Sequence, residues 1–219
     1  GYKNTLFYVL VGTAINLFMT SLGAYGLSRK NLLWGKPIMF LVVFTMFFGG
    51  GLIPFFLTVK NLGMLNTRWA IVIPSAISTW NLIVMRTSFM GIPDSLEESA
   101  RIDGANDIVI LFKIILPLSL PVLAVMALFY GVGHWNGWFD AVIFLRNRAL
   151  YPLQVFLRDI LIINADKNTM SINRPLEDEL IKKQLKYCTI IVATAPILCI
   201  YPFLQKYFVK GVMVGAIKG

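Results

Sequence analysis

The chain has 219 residues, is 57% hydrophobic with 14% charged residues, and carries a formal net charge of +9. Its mean hydropathy of +0.71 excludes an ordinary soluble domain, in which charged residues make up about a quarter of the chain. The basic excess flanks apolar blocks and is not interleaved with aromatic residues, which argues against a nucleic-acid surface and fits anionic lipid headgroups.

Five blocks free of Lys, Arg, Asp and Glu, at 6–27, 37–59, 69–85, 114–139 and 187–205, reach or approach the length of roughly 20 residues that spans a bilayer as a helix. None shows the two-residue alternation of a transmembrane strand. Helices are therefore the expected spanning elements, because lipid offers the backbone no hydrogen-bond partners. The predicted fold class is all-α, a polytopic transmembrane helical bundle forming a single domain over 1–219.

In chain order, the first span ends at the basic loop Arg29, Lys30 and Lys36. The second contains Gly49, Gly50 and Gly51, which permit either close helix packing or a local break. No phosphate-binding loop G-x-x-x-x-G-K-[ST] occurs, so any energy from ATP must come through another polypeptide. The third span is the shortest and contains Ser75, Ser78, Thr79 and Asn81. Pro54, Pro74 and Pro196 fall inside spans, and hinges and fixed kinks are equally good readings of them.

Between the third and fourth spans, Pro93, Asp94 and Ser95 form a helix-start signal, and Ser95 with Glu98 has the spacing of a capping box. The pattern predicts a helix over 96–103 ended by Gly104 in the left-handed region, then a second short helix over 106–115. Pro117 is expected to open the fourth span. Within that span, Asn136 and Asp140 are four apart and predicted to share a face with Gly133 and Gly137. Trp135 and Asn136 are read as facing a cavity, Trp138 and Asp140 as lying at the membrane edge.

The segment 145–186 is the longest loop and is strongly basic. Residues 151–163 read as a short helix on or dipping into the membrane, and a helix starting at Pro175 is expected to continue into the last span. Cys188 and Cys199 are eleven positions apart on that span, too far to pair, and read as small packing residues. Sidedness from charge is ambiguous: the short loops place the N-terminus outside, and the long basic loop argues the reverse.

Glu98-Ser99-Ala100, three residues, Gly104, nine residues, and then Ile114, Leu116 and Pro117 resemble the EAA loop of ABC importer permeases. The family pattern is E-A-A, three residues, G, nine residues, I-x-L-P. Ser99 replaces the first alanine, and both are small. Asn4-Thr5-Leu6, the run from Ala24 to Arg29, Trp135, Asn136, Phe139 and the C-terminal Tyr207 to Gly211 and Gly215 to Gly219 are similar to the carbohydrate-uptake branch. Most similar is the second permease of oligosaccharide and polysaccharide importers, the group that includes alginate and rhamnogalacturonan systems.

That resemblance implies a bacterial inner-membrane, multi-pass subunit with a cytoplasmic coupling loop over 94–117, an external N-terminus and a cytoplasmic C-terminus. A sixth, N-terminal span is expected upstream. The implied partners are a second permease, two ATP-binding cassette subunits, an extracytoplasmic solute-binding protein that meets the loop 145–186, membrane lipid and a carbohydrate. Ser95, Leu96, Glu97, Glu98, Ser99, Ala100, Arg101, Asp103 and Gly104 would dock the cassette, and Trp135 and Asn136 would line the substrate path. The chain would be no enzyme and bind no cofactor or metal, since ATP and Mg belong to the partner cassette. The basic outer loop is open to two readings, an acidic glycan or lipid headgroups.

An importer permease for a non-sugar solute carries the same loop and stays an alternative. A secondary transporter or channel would need mid-span ion-coupling residues in related halves, and no internal repeat is visible. A membrane enzyme would need a cluster of His, Asp, Glu or Cys, which one histidine and scattered acids do not supply. The chain alone is expected to show neither ATPase activity nor sugar flux. Liposomes carrying it without partners test this, and ATP-independent flux would favour a channel.

Overall fold

A computed structural model describes residues 1–166 and 184–199. The described residues form helices and connecting turns with no strand. Helix α1 (Tyr2–Ser28) is apolar enough to cross a membrane by itself, and it contains a π-helical turn at Tyr8–Gly12. Asn4, Tyr8, Gly12, Asn16, Thr20, Ala24 and Ser28 recur every fourth residue, and all are buried. Such spacing keeps one helix face turned inward, and its small or polar residues let neighbouring helices approach closely.

The second predicted span, 37–59, is two helices. Helix α2 (Gly35–Phe47) and helix α3 (Leu52–Asn61) meet at 115° across 48–51. The break falls on the three glycines, and Gly51 has φ +82°, a conformation costly for any residue with a Cβ. Gly49 and Gly51 have nothing within 4 Å of where a Cβ would lie, so the glycines serve the break and not close packing. Pro54 stands in the first turn of α3, where a missing N–H costs nothing, so it kinks no helix.

The third predicted span, 69–85, is also interrupted. Helix α4 (Trp69–Val72) stops at the turn around Pro74, and helix α5 (Thr79–Met90) resumes after Ser78. Helix α6 (Asp94–Ile102) is the amphipathic helix of the predicted coupling loop. Helix α7 (Asp107–Leu118) and helix α8 (Leu120–Asn136) meet at 85° across Ser119. The predicted fourth span, 114–139, is therefore shortened at both ends. Pro117 lies in the last turn of α7, and the span opens at Leu120 and Pro121.

Helix α9 (Phe139–Phe144) follows a short break at Gly137. Helix α10 (Leu153–Asp166) supplies the helix predicted over 151–163. Helix α11 (Gln184–Cys199) covers part of the last predicted span. The helix expected from Pro175, residues 200–205 of that span, and the C-terminal motif over 207–219 lie outside the described residues. Both cysteines are unpaired, as their spacing requires, but they are exposed and not packed.

Counting each bent pair as one span, the described residues hold up to three spans by length and composition. The main core joins α1, α5, α7 and α8 through Tyr25, Met85, Phe89, Ile110, Ile115 and Met126. Helix α2 buries no residue, and Phe40, Leu41, Phe44 and Phe47 remain exposed, as suits a face meeting lipid or another subunit. At one end of the bundle Asn66, with φ +59°, accepts backbone N–H bonds from Arg146 (3.0 Å) and Asn147 (2.8 Å), fixing the 61–68 turn to the end of α9.

Gly12 lies under the His134 ring, and a Cβ placed there would come within 2.5 Å of Nε2. Gly12→Val should therefore separate α1 from α8, with a loss of about 1–3 kcal/mol typical of overpacking. Thermal stability of the purified subunit in detergent measures this, and Gly26→Val, at a position with free space, is the control.

Candidate functional site

The coupling loop is built from local signals. Pro93 (ψ 131°) directs the chain into α6, and Asp94 and Glu97 sit in the first turn, where the helix dipole favours negative charge. The predicted capping box does not form: the N-cap is Pro93, Ser95 lies inside the helix, and no side chain caps it. Helix α6 starts two residues earlier than predicted for that reason. Its end matches the prediction. Gly104 has φ +80°, the Gly104 N–H bonds to Arg101 O (3.0 Å), and the Ala105 N–H bonds to Ala100 O (2.9 Å). This is a Schellman ending, which satisfies the last carbonyls. Asn106 then caps α7, its side chain accepting from the Val109 N–H at 2.9 Å.

Helix α6 has two unlike faces. Ser95, Leu96, Glu98, Ser99, Arg101, Ile102 and Asp103 are exposed, and Ile102 is 87% exposed although apolar. Ala100 packs inward against the main core. Glu97 is the buried carboxylate of this loop, at 8% exposure. That burial sets it apart from Ser95, Leu96, Glu98, Ser99, Arg101 and Asp103 of the same expected docking set, which are exposed.

Glu97 is ion-paired with Arg29, which follows the last residue of α1. Arg29 is itself held on three sides. Its guanidinium lies 4.5 Å from the Tyr25 ring centroid, and its Nε and Nη2 donate to Ser28 Oγ at 3.1 and 2.8 Å. Ser28 Oγ donates in turn to Tyr25 O at 2.8 Å. Burial lowers the Arg29 pKa, with the neighbouring Tyr25 and Asp94 opposing it, but a guanidinium stays charged at physiological pH. Lys30 pairs with Asp94, Arg101 with Asp107, and Tyr25 Oη donates to Asp107 Oδ1 at 3.3 Å. Arg86, near the end of α5, donates to Leu27 O at 2.7 Å. The coupling loop is thus tied to the end of α1 by charge at several points.

Deeper in the bundle, the interruption at 73–78 opens a cleft of about 290 Å³ against α8 and α9. Its polar lining includes Ser75, Ser78, Asn81, Tyr130, His134 and Asp140. The backbone freed by the interruption is satisfied from other helices: Asn16 Nδ2 donates to Ser75 O (2.5 Å), and the Ser78 N–H donates to Tyr130 Oη (3.0 Å). Asn16 Oδ1 meets His134 Nε2 at 2.6 Å, and Thr20 Oγ1 meets Tyr130 Oη at 2.7 Å. Asn81 is 6% exposed and lines the cleft.

Trp135 and Asn136 lie elsewhere. Trp135 is buried against Leu153 and Leu157, and its Nε1 donates to Ala193 O at 3.0 Å. It is a packing residue that also borders an apolar groove between α1 and α8. Asn136 is exposed and outside the polar cleft. The predicted shared face fails because Gly137, with ψ 116°, ends the helix, so four-residue spacing no longer places Asn136 beside Asp140. Gly133, Gly137 and Asp140 line the cleft and Asn136 does not. The missed residues had a signal: Ser75, Ser78 and Asn81 are the polar residues that made the third span weak. Among the described residues no group of three or more His, Cys, Asp or Glu could hold a metal.

The chain is similar to known proteins over nearly its whole length. The chain is 48% identical to the polygalacturonan/rhamnogalacturonan transport system permease protein YtcP of Bacillus subtilis (strain 168), covering 100% of this chain and 77% of that protein. It is 43% identical to Protein LplC of the same organism, over 98% of this chain and 72% of that one. A permease chain in the crystal structure of a bacterial ABC transporter involved in the import of the acidic polysaccharide alginate superposes with TM-score 0.83 at 36% identity, over 94% of this chain and 74% of that chain. Residues 2–214 match the binding-protein-dependent transport system inner membrane component family, and the chain belongs to that family.

Proposed function

We propose that this subunit forms half of a translocation path for a carbohydrate and couples it to ATP hydrolysis in a separate cassette. A second permease, two cassettes and an extracytoplasmic binding protein complete the importer. The observation that carries the reading is the two-faced helix α6: its inner face is anchored to the bundle, and its outer face presents Leu96, Glu98, Arg101, Ile102 and Asp103. Exposed apolar side chains among charges suit a protein groove better than water. Gly104 shapes the turn that presents this face, and Ser95 and Ser99 lie on it. Docking puts the loop and the end of α1 in the cytoplasm, and the turn at 61–68 and residues 145–152 outside.

The cleft at the interrupted third span, with Ser78, Asn81 and Asp140, is the path surface in place of Trp135 and Asn136. Irregular backbone at membrane depth is tolerated where it lines a cavity. Similarity to a polygalacturonan/rhamnogalacturonan permease and to an alginate importer supports a saccharide, and an acidic one is favoured by charge. All three ion pairs found among the described residues are at the coupling end. At the opposite end Arg68, Arg148 and Arg158 lie over the rings of Phe7, Phe156 and Trp138, with no carboxylate paired to them among the described residues. Arginines so held present a ready cationic surface to uronate carboxylates.

Glu98→Lys reverses a charge at the docking face and should weaken coupling by about 2 kcal/mol or more, roughly thirtyfold in uptake. Uptake by reconstituted importer measures this, and wild-type uptake with the cassette bound would reject the docking role. In a subunit lacking Cys188 and Cys199, a cysteine at Asn81 should react with a water-soluble thiol reagent at a rate that changes with ATP. One at Trp135 should stay protected. The reverse pattern would remove the cleft from the path.

A further inference from the structure

The coupling loop carries two neighbouring glutamates with opposite surroundings. Glu98 is exposed, whereas Glu97 is buried and closed onto Arg29. We infer that Glu97 and Arg29 form a permanent clamp that makes α6 and the inner end of α1 move as one body, so that Glu97 is a positioning residue for coupling and not a contact to the cassette. This rests on the proposed docking of α6.

Three observations carry it. Both side chains are largely enclosed, at 20% exposure for Arg29 and 11% for Glu97, so water screens the pair little. Removing one partner would leave the other charge buried and alone, which is far costlier than losing a surface pair. Arg29 cannot follow Glu97 by rotating its side chain, because Tyr25 and Ser28 fix its guanidinium from the α1 side. A displacement of α6 must therefore displace the turn at Tyr25 to Arg29. By contrast, Lys30 and Asp94 are 78% and 54% exposed, and an exposed pair contributes little.

The consequence concerns the path. Helix α1 also carries Asn16 and Thr20, the two side chains that bond to the interrupted segment and to α8 at the cleft. One continuous helix thus connects the clamp at its inner end to the polar network in its middle. Motion delivered to α6 reaches the cleft through α1, without passing through α7 and its 85° bend.

The test uses the complete importer in liposomes, reading cassette co-purification, ATPase activity, binding-protein stimulation of that ATPase, and uptake. Arg29→Gln and Glu97→Gln should each keep the cassette bound with basal ATPase, yet lose stimulation and cut uptake per ATP by about tenfold or more, the scale of a typical coupling energy. The charge swap Arg29→Glu with Glu97→Arg should recover part of both, and Lys30→Ala should behave as wild type. Loss of cassette binding in Glu97→Gln, with Arg29→Gln unaffected, would overturn the clamp and make Glu97 a docking contact. Loss of cassette binding in Glu98→Lys tests the docking reading separately.

A cross-link covers the case in which these variants assemble poorly. In a subunit lacking Cys188 and Cys199, cysteines at 29 and 97 would be joined by a short bifunctional thiol reagent. Full uptake after joining is the expected result, since the two positions do not separate. Arrest of uptake by the link would show that α6 moves relative to α1 and would overturn the proposal.

Discussion

An unpaired peptide group in hydrocarbon costs several kcal/mol, and the structure is arranged around meeting that cost at one place. The third predicted span is broken at 73–78, which frees backbone groups in the middle of an apolar bundle. Asn16 from α1 and Tyr130 from α8 bond to them, and His134 and Thr20 complete the network. These polar groups are what allow an interrupted helix to persist there. They also explain the buried stripe on α1, the lack of a Cβ at Gly12 beneath His134, and the position of the cleft. Of these side chains, Tyr130 and His134 also form part of the polar cavity wall.

Charge is distributed to match a two-ended machine. At the coupling end, Arg29 and Lys30 after α1 are neutralised by Glu97 and Asp94 of α6, which binds a surface loop to a membrane helix, and Arg101 of α6 pairs with Asp107 of α7. At the other end, arginines rest on aromatic rings, and no carboxylate is paired with them among the described residues. Cation–π contact holds a guanidinium in place without cancelling its charge. One end is consequently held together by ion pairs, and the other keeps its positive charge.

Amphipathicity of α6 divides its labour by residue. Ala100 and Glu97 secure the helix inward, and Glu98, Leu96 and Ile102 remain for a partner. Adjacent glutamates in one short helix thus acquire opposite surroundings from a rotation of about 100° per residue.

Much of this was legible in the residues themselves. The apolar blocks required helices, because lipid admits few alternatives. Gly104 marked the turn after α6, and the loop motif identified the family, because both depend on local spacing. The helix breaks were only half legible: three glycines and Pro74 marked possible interruptions, but hydropathy reads composition and not direction, so 37–59 looked continuous. Sequence spacing also placed Asn136 beside Asp140, which holds only while the helix continues, and Gly137 ends it. Trp135 was assigned to a cavity by residue type, whereas its contacts with α10 and α11 come from segments far along the chain. The four-residue recurrence from Asn4 to Ser28 was present in the sequence, but its partners were not. The helical class, the local order of the loop and the family followed from the sequence alone. Which glutamate turns inward, and which polar residues meet across the break, were decided by tertiary packing, since both depend on residues dozens of positions apart being brought within hydrogen-bond reach.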